Sequence, residues 1–242
     1  MKRVMMFSFI VVLFLSLVSI QGYSQTVDEV LEKMIEAQGG RKALEAIKST
    51  TLSGSMQIVQ MNMTGSWTVY QKEPNKYRVD AEMMGMTFTN AFDGTTAWST
   101  NPQTGATQEM PEKQAKLFKK QTLGRDALLN PKKLGITYKL KGKEKINDKE
   151  YLVLEQIFPD DYTVTIYVDA QTYLTYKTKS TTLNQVEAEV ESEQIVSDYK
   201  KVEGMMIAHS VTVFQDGQEF MKMTITEITF NSDLENSFFK MD

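Results

Sequence analysis

At Thr50 the hydrophobic period of this sequence shortens from about 3.6 residues to two, and it stays near two almost to the C-terminus. Before that point, Val27, Val30, Leu31, Met34 and Ile35 fall at i, i+3, i+4, i+7 and i+8, which is one apolar face of a helix. Thr26 and Glu29 have capping-box spacing, and Gly39-Gly40 supplies a left-handed stop. A second short helix is expected over Arg41 to Lys48, burying Leu44 and Ile47. After Thr50, Leu52, Gly54, Met56 and Ile58 share one strand face, and Trp67 and Val69 begin the next. Tyr77 to Met83 and Met86 to Phe92 follow, with Asp93-Gly94 as a hairpin turn into Thr95 to Thr100. Short strands joined by tight turns can pair only as antiparallel neighbours, because parallel strands need long crossovers.

Residues 111–129 interrupt the alternation. Pro111 can start a helix there, and Ala115, Leu117, Phe118 and Leu123 give it an apolar side, with Asn130-Pro131 as the stop. Strands then resume at Ile136 to Leu140, Tyr151 to Phe158, Tyr162 to Val168, Leu174 to Ser180, Val186 to Tyr199, Ile207 to Phe214 and Phe220 to Phe230. The fold class is therefore α+β: helices first, one long antiparallel sheet that curls, and a mid-chain helical insertion.

The first residues carry a different signal. Lys2 and Arg3 precede an apolar run from Val4 to Ile20, and Gly22-Tyr23-Ser24 offers the small-x-small pattern of a signal-peptidase site. Residues 1–24 are thus expected to be a signal peptide cut near Ser24, leaving residues 25–242 as one exported domain. Removing that segment leaves 25 Lys+Arg against 31 Asp+Glu, a net charge of −6. Such an acidic excess argues against nucleic acid as a partner. The chain contains no cysteine. That excludes disulfides, thiolate metal sites and a cysteine nucleophile, and no lipid-attachment cysteine follows the apolar run.

Catalytic groupings are sparse. His209 is the single histidine and alternates with Ile207 and Val211, which reads as a packed strand position; with no cysteine beside it, no conventional metal site is expected. Asp160-Asp161 follows Pro159 in turn composition. Glu187, Glu189, Glu191 and Glu193 recur at period two and read as a charged, solvated edge strand. No catalytic residues and no cofactor are expected. Methionine is the abundant residue: of 16, three lie in the signal segment. Met56, Met61, Met63, Met83, Met84 and Met86 fall in neighbouring strands, and Met205, Met206, Met221 and Met223 in another hairpin. Flexible, polarizable side chains of this kind suit a surface that accepts varied apolar shapes.

Several blocks resemble the LolA-like family of periplasmic lipoprotein carriers and outer-membrane lipoprotein-sorting proteins. Lys72-Glu73-Pro74-Asn75-Lys76-Tyr77-Arg78 is similar to the family's basic-Pro-x-x-aromatic strand start. Phe92-Asp93-Gly94-Thr95-Thr96-Ala97-Trp98 resembles its Asp-Gly-x-x-x-Trp hairpin, and Tyr167 to Leu174 the strand and turn that follow. Ile228-Thr229-Phe230-Asn231 through Phe238-Phe239 is similar to the family's ending. The resemblance implies an incomplete antiparallel β-barrel over an apolar cavity, with the helices as a lid. It implies a soluble, monomeric periplasmic carrier that shields lipoprotein acyl chains or another lipid, without catalysis, between an inner-membrane donor and an outer-membrane acceptor. A regulatory protein that senses lipids or lipoproteins on the same fold is the alternative. The residues expected to meet the lipid are Met56, Ile58, Trp67, Met83, Met86, Phe88, Trp98, Ile166, Phe214 and Met223. One position departs from the family: the arginine that precedes the proline and helps hold the lid is Glu73 here, and Arg78 lies four residues past the proline.

Overall fold

The computed structural model describes residues 25–101, 103–184 and 187–241. The expected signal peptide, Pro102 and Val186 lie outside the described residues. The chain opens with α1 (Val27–Ala37), α2 (Arg41–Ala46) and β1 (Ser49–Ile58). A meander follows: β2 (Met63–Lys72), β3 (Lys76–Met83), β4 (Met86–Phe92), β5 (Ala97–Thr100) and β6 (Thr107–Glu109). The insertion comprises α3 (Glu112–Thr122), α4 (Asp126–Leu129) and a 3-10 turn at Pro131–Leu134. The second meander is β7 (Thr137–Ile146), β8 (Lys149–Ile157), β9 (Thr163–Asp169), β10 (Thr175–Leu183), β11 (Glu189–Val202), β12 (Met205–Gln215) and β13 (Gln218–Phe230). A 3-10 turn at Asn236–Phe239 comes last.

The strands form a single 13-stranded antiparallel sheet in the order β6-β5-β4-β3-β2-β1-β13-β12-β11-β10-β9-β8-β7. Each meander is local; one non-local pairing, β1 with β13, joins them. The sheet curls without closing, since β6 and β7 end it unpaired with each other. The helical insertion connects those two open edges along the chain.

Local chemistry explains the elements. Thr26 and Glu29 make the capping box, with Glu29 N–H donating to Thr26 Oγ1 at 3.3 Å and Thr26 N–H to Glu29 Oε2 at 2.8 Å. The Asp93 carboxylate accepts from the N–H groups of Thr95 and Thr96, each at 2.8 Å, and so sets the β4–β5 turn. Desolvation pushes the Asp93 carboxyl up, but the hydrogen bonds from Thr96 and Thr95, together with the charges of Lys76 and Lys240, hold it below the usual carboxylate range.

Three readings are corrected. The insertion is not one helix: it breaks at Leu123 to Arg125 and leaves α4 as a separate turn of helix. The acidic run is not an edge strand. It begins at Glu187, a turn residue at φ 59°, and continues along β11, an interior strand. There Glu193 meets Lys177 and Lys179, at 3.5 and 3.1 Å, and Glu189 meets Lys113 of α3 at 3.0 Å. Cationic neighbours from two elements, rather than solvent alone, answer that charge. The strand after the insertion extends to Ile146, well past Leu140, and a bulge between Leu140 and Gly142 lets it bend.

The densest core lies where α1 and α4 meet β7 to β9. Val30, Leu31 and Met34 pack with Leu152, Leu154, Ile166 and Val168, and Tyr138 closes one side by donating from its hydroxyl to the Ala127 carbonyl at 3.2 Å. Leu154 is wholly buried there. Leu154→Ala is therefore expected to cost about 2–5 kcal/mol of stability. Lys139→Ala on the exposed side of the same wing should stay within about 0.5 kcal/mol. Urea midpoints of the two variants check both values.

Candidate functional site

The two faces of the sheet are chemically distinct, and the ladder register assigns residues to each. The inner face is the one the helices meet: α1 packs on Leu152, Leu154 and Ile166, and Phe118 of α3 meets Tyr77 edge-to-face at 5.6 Å. Because directly paired residues share a face, the inner face can be followed from strand to strand. Ile166 pairs with Thr178, Gln194 with Val213, Val213 with Met221, and Ile58 with both Met221 and Met63. The next row runs through Val196, Val211, Met223, Met56, Gly65, Met83 and Met86. A third takes in Ile225, Gly54, Trp67, Ala81 and Phe88.

The helices cover this face unevenly. Ile35, Leu44, Ile47 and Leu129 of the helical layer pack with Met205, and Ile207 and Phe230 lean on them. A third apolar cluster has no helical member at all. Trp67, Val69 and Ile225 are its buried centre, with Leu52, Met56, Tyr77, Val79, Ala81, Met223 and Ile228 packed around them and only partly buried. Two glycines give this surface its shape. A Cβ on Gly54 would fall 1.8 Å from the Thr224 carbonyl oxygen, and one on Gly65 would fall 2.2 Å from that of Glu82. Trp67 stands opposite Gly54, and its indole N–H donates to the Ser55 carbonyl at 3.0 Å. Methionines crowd the neighbouring strand ends: Met61 is 55%, Met84 74% and Met86 42% exposed, whereas Met83 is buried.

The insertion is tied to the rest by Arg125, between α3 and α4. Its Nη2 donates to Glu73 Oε1 at 3.0 Å and to the Ile47 carbonyl at 3.3 Å, and its Nη1 donates to Thr50 Oγ1 at 3.1 Å. The pair has the polarity opposite to that implied by the family resemblance: the acid precedes Pro74, and the arginine rides on the helical insertion. Sequence reasoning missed Arg125 because nothing in the chain between residues 73 and 125 signals their approach. Desolvation raises the Glu73 carboxyl, and Arg125 only partly offsets it.

Of the ten residues expected to meet lipid, Met56, Ile58, Trp67, Met83, Met86, Phe88, Ile166 and Met223 share the inner face. Trp98 and Phe214 do not. Trp98 pairs with Ala91, and Ala91 with Arg78, on the outer face. There its indole N–H donates to the Phe239 carbonyl at 2.9 Å, and the Arg78 guanidinium lies over the Phe238 ring at 4.3 Å. The C-terminal 3-10 turn thus straps the outside of the sheet. Phe214 pairs with Glu193, whose carboxylate binds the outward lysines Lys177 and Lys179. Both follow plain alternation from an inward neighbour, Ala97 and Val213, and so face outward. His209 is buried, with Nδ1 2.9 Å from the Ile207 carbonyl oxygen. Asp160 and Asp161 sit in the β8–β9 turn, and Asp160 accepts from Lys120 Nζ at 2.6 Å. Among the described residues no group of three or more His, Cys, Asp or Glu could hold a metal ion.

Solved structures with this architecture are known. A protein domain from Vibrio parahaemolyticus, named for outer membrane lipoprotein sorting, matches at TM-score 0.58 and 15% identity, covering 88% of this chain and 97% of that one. A LolA superfamily protein from Nitrosomonas europaea matches at 0.58 and 16% identity, covering 90% and 98%. This chain has the LolA fold. A DUF1329 family protein from Desulfovibrio piger shares it, at TM-score 0.61, 12% identity and coverage of 90% and 98%. No family model matches the sequence, and no curated protein matches it. At such identities the LolA fold is what is shared, and the chemistry of the site has to be argued from this chain's own residues.

The Arg125–Glu73 pair carries a pH dependence whose sign follows from the raised carboxyl. The folded state holds the Glu73 proton more tightly than the unfolded chain does. This site therefore gains stability as pH falls from neutrality towards the ordinary carboxylate range. Subtracting the pH–stability profile of Glu73→Gln from that of the wild type should leave a difference that moves in the wild type's favour with falling pH. Chemical denaturation across that range measures it.

Proposed function

We propose that this protein is a binding protein for acyl chains, of lipoproteins or of another lipid, which it holds on the inner face of its curled sheet. The observation that carries the reading is the apolar cluster around Trp67 and Ile225, built of strand residues alone and met by the helical layer at Tyr77, through Phe118. Apolar surface left only partly covered at the rim of such a cluster calls for an occupant. Each methylene moved from water to such a surface contributes about 0.8 kcal/mol, so part of one chain suffices for binding. The methionines at the strand ends add side chains that adapt to different chain shapes.

The finer reading is a carrier in the periplasm, and it rests on the sequence. Residues 1–24 have the pattern of a cleavable export signal with no lipid-attachment cysteine behind it, so the domain over residues 25–242 would diffuse freely between a donor at one membrane and an acceptor at the other. The LolA fold is compatible with that role.

Native mass spectrometry of the purified protein, before and after incubation with an acylated peptide or a fatty acid, tests the proposal. Lipid retained in stoichiometric amount is the expected result. A protein that comes through empty and ignores both probes is not an acyl-chain carrier. Met56→Glu places a charge on the partly buried rim of the cluster and should abolish uptake.

The chain's two tryptophans provide a second measurement. Trp67 lies in the cluster and Trp98 on the outer face. The change in intrinsic fluorescence on lipid uptake should therefore survive Trp98→Phe and vanish in Trp67→Phe.

A further inference from the structure

Thioethers gather at one end of the inner face, where the β1–β2 and β3–β4 hairpins turn. Met83 and Met86 pair directly across the β3–β4 turn, and side chains so opposed have Cβ atoms about 5 Å apart. Gly65 of β2 pairs with Met83. Met63 comes two positions before Gly65 on the same face, so it is a diagonal neighbour of Met83, at about 7–8 Å. Met56 stands on the other side of Gly65. The side chain that Gly65 lacks leaves its place to Met83, whose Cβ lies 3.3 Å from where a Cβ on Gly65 would be. Met83 therefore stands between Met86, Met63 and Met56.

Access and donor type are further observations. Met83 is buried and Met63 half-buried, while Met86, Met61 and Met84 are exposed, the last two in the flanking turns. Sulfur can thus be reached from water at the turns and is sheltered at Met83. Met84 and Gly85 form the turn itself, at φ 54° and 74°. Asn or Asp ordinarily takes the first of those positions, and methionine holds it here. No harder donor stands in the row: from Val211 through Met223, Met56, Gly65 and Met83 to Met86 it contains no Asp, Glu, Lys or Arg. The chain has no cysteine. Lys119 of the insertion stands over the Phe92 ring, at the opposite end of β4 from Met86. Neutral thioethers without a carboxylate or imidazole suit a soft monovalent cation and give a divalent one no counter-charge.

We propose that this rim is a binding site for Cu(I), held by sulfur alone through Met63, Met83 and Met86, with Met56 within reach. Met61 and Met84 are the exposed thioethers that an incoming ion meets first. Trp67 lies on β2 between Gly54 and Ala81, diagonal to both Met56 and Met83, so its indole reports on the site. The proposal does not rest on the acyl-chain reading.

The test is a titration of the purified protein, without oxygen, with Cu(I) kept reduced by ascorbate, with Ag(I) as a probe that does not change oxidation state, and with Zn(II) and Cu(II). Native mass spectrometry should show Cu(I) and Ag(I) retained in stoichiometric amount, and Zn(II) and Cu(II) bound at least about tenfold more weakly. Ag(I) should quench the Trp67 emission that remains in Trp98→Phe. X-ray absorption at the copper edge of selenomethionine-labelled protein should show selenium neighbours. Failure to retain Cu(I), equal retention of Zn(II), or coordination by nitrogen or oxygen alone overturns the proposal. Met83→Leu with Met86→Leu keeps the apolar bulk and removes two donors, so it should weaken Cu(I) at least about tenfold. Met206→Leu, at the far end of β12, should leave Cu(I) binding unchanged. Unchanged affinity in the double variant also overturns the proposal. The wild-type measurements decide the matter even where a variant misfolds. A wild type that holds Cu(I) and ignores acyl probes supports this site and sinks the carrier reading alone; the opposite result does the reverse.

Discussion

The pairing of β1 with β13 is the contact on which the rest of the structure depends. Each meander can form from sequence neighbours, but each keeps an open edge at β1 or β13 until the first strand after the helices finds the last strand of the chain. That ladder sets Met56 beside Met223 and Leu52 beside Ile228, and it joins two half-sheets into one curled surface. A bulge between Ser53 and Gly54 bends the seam, and Gly54 has no room for a side chain against the Thr224 carbonyl. Closing a loop that spans nearly the whole described chain is entropically costly. The seam therefore has to be held by apolar contacts on one face, which are the contacts proposed to meet the ligand.

The helices resolve only part of the burial problem the curl creates. One wing is sealed by α1 and α4, which cover Leu152, Leu154 and Val168. Over the other wing lies α3, whose Phe118 touches Tyr77 while Lys119 stands over the Phe92 ring at 5.3 Å. Between them the cluster around Trp67 keeps its partly buried rim. The insertion that would shut this region is tethered by Arg125, a half-buried cation held by Glu73, Ile47 and Thr50.

Much of this was legible in the chain. The capping box at Thr26, the Asp93-Gly94 turn, the alternation of Leu52 to Ile58 and the interruption after Pro111 are local patterns, and local patterns are written in neighbouring residues. The placement of eight of the expected residues on one face followed from the same alternation. Trp98 and Phe214 lie on the other face because each directly follows an inward residue, Ala97 and Val213, in an unbroken strand, where successive side chains alternate. The acidic run of β11 was misplaced for another reason. Its lysine partners sit on β10 and α3, and only pairing brings them near.

By itself, then, the sequence determined the class of fold, the order of its elements, the absence of cysteine chemistry and the abundance of methionine in strands. All are consequences of which residues are neighbours along the chain. Tertiary structure alone decided that β1 meets β13, that Arg125 reaches Glu73, and that Trp98 looks outward onto Phe239. Those are relations between residues far apart in the chain. They arise only when burial of one sheet face forces distant segments into register.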